Sequence, residues 1–243
     1  MGTGLAVLGV PSVLGGGGGW TPSDLETTQL WSRSDLGAYT DAGKTTAAGD
    51  SDFVYTWVDQ ISGRDFVQAT EANRFTYVTN AINGRPAMSA NATHFASSTY
   101  AHASGYTAVY IVQTADGGNN KYLAGETANT DNYLYVLATE TIRMGTNLIV
   151  ASGAGDFPLS VPVCLLAEFN GASSRLEVNG LEVASGNAGT LALDGLTVGR
   201  TNGVGNGWIG YIGEVIYIDG ILSAEDRAQL ETYLAGLWGI TFS

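Results

Sequence analysis

The chain has 243 residues and a mass of 25.3 kDa, a size at which an all-β sandwich is commonly built as one unit. Hydrophobic residues make up 44% and charged ones 14%, enough apolar side chain for a sizeable core and too little charge for a disordered chain. Ten Lys and Arg against 23 Asp and Glu leave a net charge of −13, which disfavours nucleic-acid backbones and anionic membranes, and the one cysteine excludes an internal disulfide. Glycine is frequent at 34 residues and proline scarce at 5, a balance that suits many short strands joined by tight turns.

The first organisational feature is an apolar stretch from Leu5 to Leu14, followed by the glycine run Gly15 to Gly19 and then Trp20. No Lys or Arg precedes Leu5, which argues against a secretion signal, and Ala6 argues against myristoylation at Gly2. Residues 1–19 therefore read as an arm on a glycine joint, with Leu5, Val7, Leu8, Val10, Val13 and Leu14 as its partner-binding side chains. The alternative is an arm that packs back as an edge strand on its own domain. The domain itself is expected over residues 20–243.

From Trp31 onward the pattern is strand and turn. Ala108 to Gln113 is an apolar run fit for a central strand, followed by Tyr122 to Glu126 and Tyr133 to Ala138. Val161 to Phe169 is another buried strand, with Cys164 as a small core residue. Alternating apolar positions around Asn179 and Gly180 predict a type I′ hairpin, and Ile209 to Asp219 predicts a strand interrupted at Gly210 and Gly213 by bulges or close contacts. One helix is expected, with Ser223 as N-cap, Glu225 and Asp226 in its first turn, and Leu230, Tyr233, Leu234, Leu237 and Trp238 on one face. Gly239 ends it, and Ile240 to Phe242 is expected to return to strand.

Five stretches resemble the concanavalin A-like, laminin-G-like jelly rolls, in the form common in tailed-phage virion proteins and bacterial surface proteins. They are Leu30, Trp31 and Asp35; Trp57, Asp59, Ser62 and Gly63; Asn83 to Ala87; Phe169 to Gly180; and Gly210 to Asp219 with Leu222, Ser223 and Tyr233. Together they reach from Leu30 to Gly239. The resemblance implies an all-β, two-sheet antiparallel jelly-roll sandwich with one short C-terminal helix and an N-terminal arm. Trp31, Trp57, Trp208 and Trp238 are then expected to fill the space between the two sheets.

Chemistry is sparse. Glycoside hydrolases that resemble this fold carry a Glu-x-Asp-x-x-Glu strand, which is absent, so no enzymatic activity is expected. Glu177 and Glu182 flank the hairpin turn and are expected to face solvent, while Glu214 and Asp219 should lie on opposite sides of one strand. Glu214 itself is expected to accept bonds from neighbouring strands or turns. His94 and His102 have no third metal ligand near them in sequence and read as solvated histidines. No cofactor is expected. Asp116 and Asp131 lie in oxygen-rich loops and are weak calcium candidates. Tyr122, Tyr133 and Tyr135, with Asn119 and Asn120, are the candidate carbohydrate-binding residues; the alternative places these tyrosines between sheets or against a neighbouring subunit.

The resemblance implies a non-enzymatic structural protein at the surface of a tailed-phage capsid or tail. Its partners would be other virion proteins and copies of itself, reached through the arm. The alternative is an adhesin recognising host surface glycans. Neither reading involves nucleic acid or membrane insertion.

Overall fold

Period-two alternation between two apolar layers dictates the architecture, seen here in a computed structural model that describes residues 19–103, 105–114, 121–127, 132–201 and 206–243. Seventeen strands follow in chain order: β1 (Thr28–Arg33), β2 (Ala38–Tyr39), β3 (Thr56–Trp57), β4 (Phe66–Val67), β5 (Thr76–Ile82), β6 (Arg85–Asn91), β7 (Ala96–His102), β8 (Tyr106–Gln113) and β9 (Lys121–Glu126). Then come β10 (Tyr133–Val136), β11 (Ile142–Gly145), β12 (Ile149–Ala151), β13 (Val163–Phe169), β14 (Ser174–Val178), β15 (Leu181–Gly186), β16 (Leu193–Val198) and β17 (Ile209–Asp219), with helix α1 (Ala224–Trp238) last.

The strands form two antiparallel sheets. The eight-stranded sheet runs β15-β14-β13-β8-β17-β6-β5, with β1 also paired to β17. The nine-stranded sheet runs β12-β11-β10-β9-β16-β7-β4-β3-β2. Their facing sides enclose one core that includes Trp57, Phe66, Tyr100, Tyr110, Leu123, Leu165, Leu196 and Trp208. A second core lies on the far side of the eight-stranded sheet, where Leu230, Leu234 and Trp238 of α1 pack onto Trp31, Val109, Ile111, Leu166 and Ile216. One sheet therefore has its outer face covered by the helix.

The expected jelly-roll sandwich and its one C-terminal α-helix are present among the described residues. Asn179 and Gly180 have φ of 51° and 82°, the pair of positive values that a type I′ turn requires. Ser223 Oγ accepts from the Asp226 amide at 3.1 Å, and Gly239 closes the helix in the left-handed region at φ 66°. Two expectations need correction. Trp57 and Trp208 do fill the inter-sheet core, but Trp31 and Trp238 belong to the helix-side core, because their strand and helix meet outside the sandwich. Ile240 to Phe242 does not pair as a strand; the chain instead runs past the β14–β15 turn, where the Ser243 amide donates to the Asn179 carbonyl at 3.0 Å.

Candidate functional site

The outer face of the nine-stranded sheet carries the predicted tyrosines. In β10, Leu134 and Val136 point into the core, so Tyr133 and Tyr135 point outward by alternation. In β9 a bulge decides the orientation. Leu134 pairs with Ala124 and Tyr135 with Tyr122, which leaves Leu123 as the extra residue. Leu123 and Ala124 both join the core, and Tyr122 and Gly125 are turned outward.

The result is a continuous aromatic surface. Tyr122 and Tyr135 have ring centroids 4.8 Å apart, and Tyr133 and Tyr135 lie 5.4 Å apart. Tyr135 is largely covered by its neighbours, whereas Tyr122 and Tyr133 are half-buried. Burial, with the Tyr135 phenol alongside, pushes the Tyr122 phenol upward, so it stays neutral. Across the next strand pair, Arg143 sits opposite Tyr135, and its Nη1 donates to Tyr135 Oη at 3.3 Å.

Further along β9 from Tyr122, beside Gly125, the face becomes hydroxylic. Thr197 stands opposite both Gly125 and Ser97. Its hydroxyl lies 2.9 Å from Ser97 Oγ and 3.2 Å from Thr127 Oγ1. A side chain at Gly125 is excluded there, because its Cβ would come within 2.4 Å of Thr201 Oγ1. At the same end of the sheet the Arg200 guanidinium lies 3.4 Å over the Phe95 ring. Aromatic faces beside hydroxyl and guanidinium donors match the two sides of a sugar ring, one apolar and one bearing hydroxyls.

Sequence reasoning placed Tyr122, Tyr133 and Tyr135 together and missed Arg143, Thr197, Ser97 and Arg200. The cross-strand position of Arg143 was accessible in principle, since Ile142 and Met144 alternate with it. Asn119, Asn120, Asp116 and Asp131 lie outside the described residues, as do Leu5, Val7, Leu8, Val10, Val13 and Leu14. Among the described residues no group of three or more His, Cys, Asp or Glu is arranged to hold a metal ion. Asn132 is spent structurally, its Nδ2 donating to the Ala192 carbonyl at 2.8 Å.

The remaining polar clusters hold the fold. Asp59 accepts from the amides of Trp31, Ile61, Ser62 and Arg64 at 2.9 to 3.1 Å and from Ser62 Oγ at 2.6 Å, tying β1 to the loop after β3. Glu177 does not face solvent as expected. Arg175 Nε lies 3.1 Å from it, and Arg227 of α1 bridges it to Glu168, so the helix clips two buried carboxylates onto the sheet. Burial raises the Glu177 carboxyl against the pull of Arg227 and Arg175. Glu182 is exposed, and Asp219 lies across β17 from Glu214, both as expected. His94 and His102 are not solvated. His94 is buried, which lowers its pKa, and His102 stacks against Tyr100 with Nε2 3.1 Å from Asp219.

Glu214 is fully buried beneath α1. Its Oε1 accepts from Trp31 Nε1 at 2.6 Å and Tyr233 Oη at 2.7 Å, and its Oε2 accepts from Trp238 Nε1 at 2.5 Å. Strand β1 thus donates as expected, and the helix supplies the other two donors. Burial outweighs these donors and pushes the Glu214 carboxyl up to about 7.

The architecture is an antiparallel sandwich with one sheet covered by a helix, a fold that does not by itself fix a function. No family model and no curated protein matches the chain. Solved structures do. Domain 4 of AbnA, a GH43 extracellular arabinanase from Geobacillus stearothermophilus solved with arabinotriose, superposes with a TM-score of 0.57 at 13% identity, over 85% of this chain and 100% of that domain. A Trypanosoma rangeli sialidase superposes with a TM-score of 0.53 at 16% identity, over 95% of this chain and 36% of that one, so the chain spans about a third of the sialidase. At these identities the likeness establishes the jelly-roll sandwich fold.

Proposed function

We propose that this chain is a carbohydrate-binding domain that holds glycans on the outer face of its nine-stranded sheet without cleaving them. The observation that carries the reading is the contiguous surface of Tyr122, Tyr133 and Tyr135 beside the Ser97, Thr197 and Thr127 hydroxyls. Support comes from the fold it shares with an arabinanase domain solved with arabinotriose. The non-catalytic part of the reading is supported by the buried carboxylates: Glu168 and Glu177 are engaged by arginines and Glu214 by indoles, all on the helix side. The test is a glycan array probed with the wild type, Tyr122→Ala and Tyr133→Ala. Loss of about tenfold or more in retention with an unchanged melting temperature is expected. Retention unaltered in both variants would remove the reading.

A second reading is compatible with the first and makes the chain a component of a tailed-phage virion, anchored through its arm. It is supported by the sequence resemblance. Deleting residues 1–19 is expected to abolish incorporation into particles while leaving the domain folded; normal incorporation of the truncated chain would refute it.

A further inference from the structure

The arginines of this chain divide into two groups. Acidic residues outnumber basic ones 23 to 10, so an arginine finds a carboxylate easily. Arg33, Arg74, Arg85, Arg175 and Arg227 each do. Arg143 and Arg200 have no carboxylate partner among the described residues. The polar contact of Arg143 is the Tyr135 hydroxyl, that of Arg200 is the face of Phe95, and the Nε of each is buried without a hydrogen-bond partner. Arg64 also has no ion pair among the described residues, but it lies over Tyr100, an inter-sheet core residue, away from the open face.

Strand pairing places Arg143 and Arg200 on the same end of the same face. Arg143 is opposite Tyr135, and Tyr135 is opposite Tyr122. On the far side of β9 the Gly199 amide donates to the Leu123 carbonyl at 2.7 Å, and Arg200 follows directly. Phe95 precedes Ala96, a core residue, so alternation turns Phe95 outward with Ser97. From β11, which holds Arg143, to β16, which Arg200 follows, there are three strand intervals, so the two residues stand about 14 Å apart across the sheet, with Tyr122 and Tyr135 between them.

We propose that the open face selects a carboxylate-bearing oligosaccharide several rings long, whose acid groups are read by Arg143 at one end and Arg200 at the other. This rests on the glycan-binding reading above and names its ligand class. A half-buried guanidinium without a partner has lost water without recovering the interaction, and a carboxylate restores it with charge-assisted, bidentate hydrogen bonds. Desolvation already holds the Arg200 guanidinium below its ordinary value, the direction expected where a counter-charge is missing. The span excludes recognition of both charges within one sugar ring. A net charge of −13 opposes polyanions overall, so any attraction has to come from local contacts such as these two guanidiniums.

The test is calorimetric titration of the full chain with two acidic oligosaccharides, oligogalacturonate and oligomannuronate, and with the neutral methyl ester of each. At least one acid form is expected to bind about tenfold or more tightly than its ester, the magnitude of one charged hydrogen-bonding contact. Arg143→Gln and Arg200→Gln are each expected to lower the affinity for the acid by about tenfold, to narrow the difference between acid and ester, and to keep the wild-type melting temperature. Equal binding of acid and ester overturns the proposal while glycan binding stands. So does failure of both acids to bind when the array retains neutral glycans. If the array retains nothing, both readings fall together.

Discussion

Removing the ionisable group at Glu214 tests the helix-side core most directly. The carboxyl is fully buried, and burial moves its pKa from the ordinary 4.5 to about 7 in the folded chain. Because the folded value is the higher, the stabilisation from this group is complete below pH 4.5 and is lost as pH rises through 7. The displacement is worth about 3 kcal/mol, most of it lost between pH 5 and 8. For a domain of this length that corresponds to a fall in Tm of about 5–10 °C across the interval. Glu214→Gln keeps an oxygen for Trp31 and Tyr233 but turns an amide NH2 towards Trp238 Nε1, a donor facing a donor. That mismatch costs about 1–3 kcal/mol and is independent of pH. Calorimetric Tm curves of the two proteins should therefore converge as pH rises, with the variant furthest below wild type near pH 5. His94, shifted in the opposite direction, and Glu177 contribute equally to both proteins and cancel in the difference. A difference that stays constant from pH 5 to 8 would refute the reasoning, because the three donors would then outweigh desolvation and keep the carboxylate ionised.

Two further substitutions test the attachment of α1. Arg227→Met removes the cation that joins Glu168 to Glu177, leaving Arg175 alone against two buried carboxylates, and should destabilise by about 3–5 kcal/mol in denaturant unfolding; a loss within error of zero would show that Arg175 suffices. Gly213→Ala puts a Cβ 2.6 Å from the ring of Trp238, which is wholly buried, and should cost about 1–3 kcal/mol with a lowered Tm; an unchanged Tm would mean that the indole shifts freely.

Local signals in the sequence were read correctly where the determinant is local. The Asn179 and Gly180 turn, the Ser223 cap and the apolar stripe of α1 each depend on a few consecutive residues. Burial of polar groups was read wrongly where it depends on distant chain. Glu177 follows a strand pattern that fits exposure, and it is Arg227, fifty residues later, that covers it. His102 is similarly enclosed by Tyr100 and Tyr106 and met by Asp219 from β17. The short strands β2, β3 and β4 went unrecognised because two residues are too few to show a period, and β7 reads as polar loop because a serine, Ser98, stands among its inward positions. Arg143 went unnoticed for another reason: its meaning lies in the lack of a carboxylate partner, a property of the folded surface.

Both polar features of the molecule adjoin one extra residue in a strand. In β17, Ile212 faces the inter-sheet core opposite Val112, and strict alternation would return Glu214 to the same side. The bulge at Gly213 instead pairs Glu214 with Ile111 and turns it under the helix, where Trp31, Tyr233 and Trp238 meet it. In β9 the extra residue is Leu123: strict alternation back from Ala124 would put Leu123 outward and Tyr122 inward, and the bulge sends Leu123 into the core and leaves Tyr122 outward. A chain lacking Leu123 would pair Ala124 with Leu134 and Tyr122 with Tyr135 as consecutive residues of a regular ladder, keeping the phenol outward and losing a fully buried leucine. Deleting that one residue is therefore expected to lower the Tm while glycan retention persists below it, whereas Tyr122→Ala should abolish retention at an unchanged Tm. Loss of retention by a deletion variant that still unfolds cooperatively would refute this account of how Tyr122 comes to face outward.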